Sequence, residues 1–249
     1  MSKIKSLWKE AVLLERNIPG IVSALFILSI VAMNLLANKS INIPMDWLAL
    51  DCGIIFSWLV FLLMDMVTKH FGPRASTMLS VIALVVNLFM ALMLFIGSVI
   101  PGMWGESYVE GSESIINLAL DNTFKGTWYV LLGSSVAFVV SAVVNNEMNW
   151  LLGKVTKGRN NFGVFAFRSY ASTFIAQFVD NLVFALIVSH NFFGWSLTQC
   201  LMCALTGAVV ELICEIIFSP IGYRVAKRWR KNEVGKQYID YIKAKGGRV

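Results

Sequence analysis

The chain reads as an all-α integral membrane protein with six transmembrane helices and both termini in the cytoplasm. Three observations predict this fold class. Of its 249 residues, 57% are hydrophobic and only 14% are charged, against roughly a quarter charged in soluble domains. Nearly charge-free stretches long enough to cross a bilayer at about 1.5 Å per residue recur along it. Its basic residues also fall almost wholly on one side of those stretches.

Taken in order, residues 3–15 are charged and amphipathic, which suits a short helix lying on the membrane surface. Six spans follow, at about 18–37, 48–67, 78–100, 127–144 (with room to continue to 152), 165–189 and 197–219. The first is too long for a signal peptide and lacks a small-residue cleavage site, so it reads as a retained helix. In the second, Gly72-Pro73 is expected to end the helix, with Lys69 and His70 complementing its C-terminal dipole. This divides the chain into an amphipathic N-terminal segment (1–17), a six-helix membrane domain (18–219) and a basic C-terminal tail (220–249). Nineteen of the 21 Lys and Arg fall before span one, between spans two and three, around the four–five connection or after span six; only Lys39 and Lys125 fall on the other side. The loop opposite carries Glu106, Glu110, Glu113 and Asp121. The positive-inside bias therefore puts both termini in the cytoplasm, which requires an even number of spans and agrees with six.

Several function classes drop out. The net charge of +6 is concentrated in flanks of membrane spans, where attraction to anionic headgroups accounts for it without nucleic acid. Cys52, Cys200, Cys203 and Cys214 sit in or beside spans. The one C-x-x-C, at 200–203, has neither a second pair nor a nearby His, so the thiols read as small hydrophobes rather than metal ligands. His70 and His190 are expected on opposite membrane faces, and neither H-E-x-x-H nor G-x-S-x-G occurs, which argues against an enzyme. No cofactor or metal is implied, and with no Walker A sequence any use of ATP would need a partner.

Polar groups inside the spans carry the functional signal, because ionisable side chains in a bilayer usually face a cavity or a partner. Asp51, Trp58 and Asp65 are spaced by seven and are expected along roughly 21 Å of one helical face. Thr173, Gln177 and Asp180 form a second stripe in span five. Span six carries Glu211 and Glu215 one turn apart, and span four ends with Asn145 and Asn149 on one face. Asp65 has two readings: a local bridge to Lys69 at i+4, or the inner end of a polar cavity, which the spread of acids over several helices favours. A weak internal echo aligns Val144-Asn145-Asn146 with Val179-Asp180-Asn181, and predicts an amide or acid at corresponding depth on spans four and five.

The stretch MDMVTKHFGPR, with its D-x-x-T-x-x-[YF]-G pattern, RSYASTFIAQFVDNLVFALIVSHNFFG at 168–194 and EIIFSPIGYRVAKRW together resemble the VUT family of queuosine-precursor transporters. The segments occur in that family's order and cover most of the chain from span two onward. The resemblance implies an importer of a 7-deazaguanine (preQ0, preQ1 or queuine) in a bacterial inner membrane, with six helices akin to the substrate-binding subunits of energy-coupling-factor transporters. The family pattern falls on Asp65, Thr68 and Gly72, then Arg168, Ser172, Gln177 and Asp180, then Glu215, Pro220 and Tyr223. It departs at Ala142 and Asn145, where Gln and Asp are typical, and at Lys69, where Glu is typical. On this reading Asp180 takes the guanine-edge donors, Gln177 or Asn145 reads the adjacent carbonyl, and Trp58 or Phe184 covers the ring. Asp65 or Glu215 would meet an aminomethyl cation; Asp51, Thr68, Arg168, Thr173 and Glu211 complete the candidate cavity or coupling residues. The expected partners are a deazapurine base and the lipid bilayer, with no nucleic acid. A homo-oligomer is compatible with the sequence, and an ATPase partner is not required by it. The alternative is a carrier, or a substrate-binding subunit for a separate ATPase module, that takes another vitamin-like compound.

Overall fold

The computed structural model describes residues 3–104, 110–111, 113–155 and 162–246. It is almost entirely helical: α1 (Lys3–Asn17), α2 (Gly20–Leu36), a two-stranded antiparallel hairpin of β1 (Ser40–Ile41) and β2 (Leu50–Asp51), α3 (Ile54–Phe71), α4 (Pro73–Val99), α5 (Glu113–Val155), α6 (Phe162–Phe184), a π-helical turn (Ala185–His190), α7 (Asn191–Phe193), α8 (Leu197–Lys231) and α9 (Lys236–Ala244). Five helical segments are long and apolar enough to cross a membrane: Ile54–Phe71, Pro73–Val99, Ser114–Asn145, Tyr170–Phe193 and Leu197–Lys231. The pair Lys5–Asn17 and Gly20–Leu36, bent by 112° at its break, brings the number to six when taken as one span. The chain is thus an all-α, multi-pass membrane protein. Lys157, Arg159, Glu106 and Arg248 lie outside the described residues, as do the side chains of Lys3, Glu113, Asn146, Asn149, Lys154 and Arg168.

The chain forms two compact units, one of Met1–Met33, Ile55–Phe89 and Cys214–Val249, the other of Asn34–Ile54 and Met90–Ile213. The core of the first collects Leu14 and Ile18, Phe26 of α2, Val60, Leu63, Val67 and Phe71 of α3, Leu79 of α4, Trp229 of α8, and Tyr238 and Ile242 of α9. Phe71 is fully buried, with Trp229 and Tyr238 ring centroids at 6.0 and 6.2 Å. As expected, α3 ends there: Gly72 follows with φ 89° and Pro73 begins α4. Gly235, also left-handed at φ 68°, admits the Phe71 ring, and a Cβ built there would sit 2.3 Å from Phe71 Cε1. Polar groups tie the same unit together. Glu10 of α1, fully buried, accepts from Arg74 Nε and, at 2.7 Å, from Arg74 Nη2; Lys245 of α9 stands 3.6 Å away. Burial, and then the Glu10 charge, push the Tyr238 phenol up to about 12.

In the second unit α5 and α6 pack antiparallel. Ser141 meets Asp180, and a Cβ on Gly133 would lie 2.3 Å from Val188 Cγ2, so partner numbers fall along one helix as they rise along the other. The small side of Gly133 lets the π-helical turn approach α5 closely, beside a cluster of Ala37, Val130 and Val188. Ala49, Ala185, Trp195, Cys200 and Cys203 form another cluster. Among the described residues no cysteine forms a disulfide.

One expectation needs correction. Asp51 does not continue the Trp58–Asp65 face, because it belongs to β2, where it pairs with Ser40. Its carboxylate accepts the Gly53 N–H at 2.7 Å, a local side-chain-to-backbone turn that competes with helix just before α3 begins. The last long helix extends beyond the expected span of 197–219. It runs through Pro220 to Lys231, since packing of Val225 and Trp229 into the core of the first unit offsets the lost backbone hydrogen bond that makes proline a helix breaker.

A polar cluster on α5, α6 and α8

The sequence-derived candidates separate into two groups, one in each unit. In the second unit Asp180, half-buried on α6, accepts the Ser141 hydroxyl at 2.8 Å through Oδ1. One turn earlier on the same face is Gln177, only 1% exposed, with no partner among the described residues for either its Oε1 or its Nε2. The antiparallel register set by Ser141–Asp180 and Gly133–Val188 puts Asn145 level with Ala176 and Gln177. The Asn145 Oδ1 is likewise buried and unpartnered. Such amides are costly in the ligand-free fold, since a buried polar atom without a hydrogen bond costs about 1–3 kcal/mol. Thr173 lies a turn before Gln177 and Phe184 a turn after Asp180, both half-buried. Phe184 packs against the Ala37, Val130 and Val188 cluster.

Glu211 of α8 is 2% exposed and accepts from Asn181 Nδ2 at 3.3 Å. Gly207, one turn before Glu211, makes this approach feasible: a Cβ there would lie 2.7 Å from Asn181 Nδ2. Ser141 and Asn181 are the members of the cluster that were not singled out from the sequence, although both stand in the echoing segments. The echo pairs Asn145 with Asp180, whereas antiparallel packing puts Asp180 opposite Ser141 and Asn145 about one turn, roughly 6 Å, from the Asp180 level. A sequence alignment runs both segments in the same direction; the helices do not. Asp51, in the hairpin of this unit, is a carboxyl pushed up to about 6 by burial, against the Gly53 N–H that lowers it.

In the first unit Asp65 forms an ion pair with Lys69, both side chains about one-third exposed, so the local bridge is present. Thr68 donates to the Met64 carbonyl at 2.8 Å along its own helix. Trp58 stacks on Phe218 of α8 at 4.5 Å between centroids, which covers one face of its indole, and its N–H bonds the Ile55 carbonyl at 2.9 Å. Glu215 of α8 carries a buried Oε2 without a hydrogen-bond partner among the described residues, and the charges acting on it are those of Asp65 and Lys69. Glu211 and Glu215 are one turn apart in sequence, yet Glu211 engages Asn181 of the second unit's α6 while Glu215 belongs to the first unit. Arg168 is on α6, but its side chain is outside the described residues.

Chemically, the second-unit cluster offers a carboxylate oriented by one hydroxyl, an amide with an unused donor and acceptor, and an unused amide carbonyl. That set suits a neutral or cationic planar ligand bearing adjacent donors and acceptors. Among the described residues no group of three or more His, Cys, Asp or Glu side chains is arranged to hold a metal ion. A family model described as "putative vitamin uptake transporter" matches residues 51–225, more than half of the chain, and this stretch contains both groups of candidates. No curated protein and no solved structure matches the chain.

Proposed function

We propose that this chain, which belongs to the vitamin uptake transporter family, imports a queuosine precursor, a 7-deazaguanine such as preQ0, preQ1 or queuine, across a bacterial cytoplasmic membrane. The observation that carries the reading is Gln177, a buried amide whose donor and acceptor both lack a partner among the described residues, one turn from Asp180 and level with Asn145. A deazaguanine presents a ring N–H and an exocyclic NH₂ beside a carbonyl. The carboxylate oxygen of Asp180 that Ser141 leaves unused accepts those donors, while the Gln177 amide N–H meets the carbonyl. The bound base then supplies hydrogen bonds that the protein alone withholds, so binding repays a desolvation cost already present in the fold.

The test is calorimetric binding of the purified full chain to a panel of deazaguanines, guanine, other nucleobases and vitamins. Deazaguanines are expected to bind selectively, and Asp180→Asn to bind them roughly 10- to 100-fold more weakly, the worth of a hydrogen bond to a charged group. Failure of every deazaguanine overturns the substrate; unchanged binding by Asp180→Asn removes Asp180 from the site. Uptake of labelled base by proteoliposomes, with and without an ionophore, identifies the driving force, and an ATPase that co-purifies and stimulates uptake would point to the subunit alternative.

A further inference from the structure

The first helix has two sides with different fates. Glu10 and Leu14, both fully buried, face inward, where Arg74 and Lys245 neutralise Glu10. Glu15 engages Ser23 of α2. The opposite side is uncovered: Trp8 is 71% exposed, and Lys9 and Arg16 are exposed without an ion pair among the described residues. Lys9 and Arg16 are two turns apart on one face. With Trp8, Val12 and Leu13 they line a shallow depression of about 280 Å³. The 112° bend between Lys5–Asn17 and Gly20–Leu36 turns α1 nearly perpendicular to the apolar helix that follows it.

We infer that this side of α1 is a binding site for the headgroup of an anionic phospholipid. A helix turned nearly at right angles to a membrane-crossing one lies along the interface. Exposed tryptophan belongs at that depth, where its ring meets acyl chain and its N–H meets headgroup. Lys9 and Arg16 bracket the depression with two cations, which fits one lipid phosphate between them, while Val12 and Leu13 lie along the glycerol and upper chain. Of the acids of α1, Glu10 is neutralised by Arg74 and Lys245 and Glu15 engages Ser23, so two cations outweigh one half-buried acid on this side. Charge complementarity and an apolar flank select a lipid over a soluble anion.

The experiment compares retention of phosphatidylglycerol and phosphatidylcholine by the purified full chain, read by native mass spectrometry after delipidation and by quenching of Trp8 fluorescence with chain-labelled lipids in mixed nanodiscs. The Trp8 contribution is isolated by difference against Trp8→Phe. Preferential retention of phosphatidylglycerol is expected. Lys9→Gln combined with Arg16→Gln should lower that preference about 20- to 30-fold, the loss of two surface cations. Lys227→Gln combined with Lys231→Gln, which removes the same charge from exposed positions of α8, should preserve it. An equal loss in both double variants would mean diffuse attraction to the whole basic surface and would overturn the site. So would retention of the preference in Lys9→Gln/Arg16→Gln, or displacement of the lipid by millimolar inorganic phosphate. All four side chains are exposed, so melting temperatures should stay unchanged and separate loss of binding from loss of folding.

Discussion

Replacing Gln177 with leucine separates a ligand site from an ordinary core position. The side chain is 1% exposed and neither amide atom has a partner among the described residues. In an interior position an unsatisfied donor or acceptor costs about 1–3 kcal/mol, whereas an apolar group of similar size costs nothing of that kind. Leucine is nearly isosteric with glutamine, so the exchange adds little strain. The ligand-free protein should therefore become more stable by about 1–3 kcal/mol, measured by reversible unfolding in mixed micelles. Ligand binding should move the opposite way, falling at least tenfold as the hydrogen bonds to Gln177 disappear, and the ligand-induced rise in melting temperature should shrink with it. A Gln177→Leu protein that is less stable without ligand would refute the reasoning, because it would show that the amide is satisfied by the fold. Unchanged ligand binding would refute it as well, by removing Gln177 from the site.

Three further outcomes follow from the same physics. Arg74→Ala should cost about 2–4 kcal/mol, discounted from the usual loss for a broken buried pair because Arg74 is half exposed and Lys245 remains beside Glu10; Glu10→Gln should cost less, and equal costs in a double-mutant cycle would contradict the asymmetry. Gly235→Ala should cost about 2–4 kcal/mol in an unfolding titration, since it adds a left-handed penalty to a Cβ placed 2.3 Å from Phe71 Cε1 and 3.0 Å from the Asn17 carbonyl. Asp51 has its carboxyl raised from 3.8 to about 6, so the folded state holds its proton more tightly than the unfolded state, and its ionisation lowers stability as pH rises between those values. Asp51→Asn should accordingly match the wild type near pH 4 and exceed it by about 1–3 kcal/mol at pH 7, and a gain independent of pH in thermal melts would contradict the assignment.

Much of the architecture was legible in the residues themselves. The apolar runs, the Gly72-Pro73 break after Phe71 and the amphipathic 3–15 segment correspond to helices, a helix boundary and α1. Their cause is local: hydrocarbon excludes unpaired backbone groups, so long apolar stretches in a membrane become helices whatever their neighbours are. The family segments were legible for a similar reason, because short motifs keep their spacing in sequence.

What sequence could not decide is which polar groups meet. Seven-residue spacing put Asp51 in line with Trp58 and Asp65, but a side-chain hydrogen bond to Gly53 and pairing with Ser40 take it out of the helix. The sequence alone did not show that α8 continues past Pro220, where the core around Trp229 carries it. The echo between the segments around Asn145 and Asp180 named the right helices, while their antiparallel packing chose Ser141 as the partner of Asp180 and brought Asn145 level with Gln177. Sequence by itself determined the membrane-spanning helices and the chemical types available to a site, because backbone hydrogen bonding and hydropathy act within each segment. Only tertiary structure decided that Gln177 is buried without a protein partner, because direction, register and burial arise when separate helices pack.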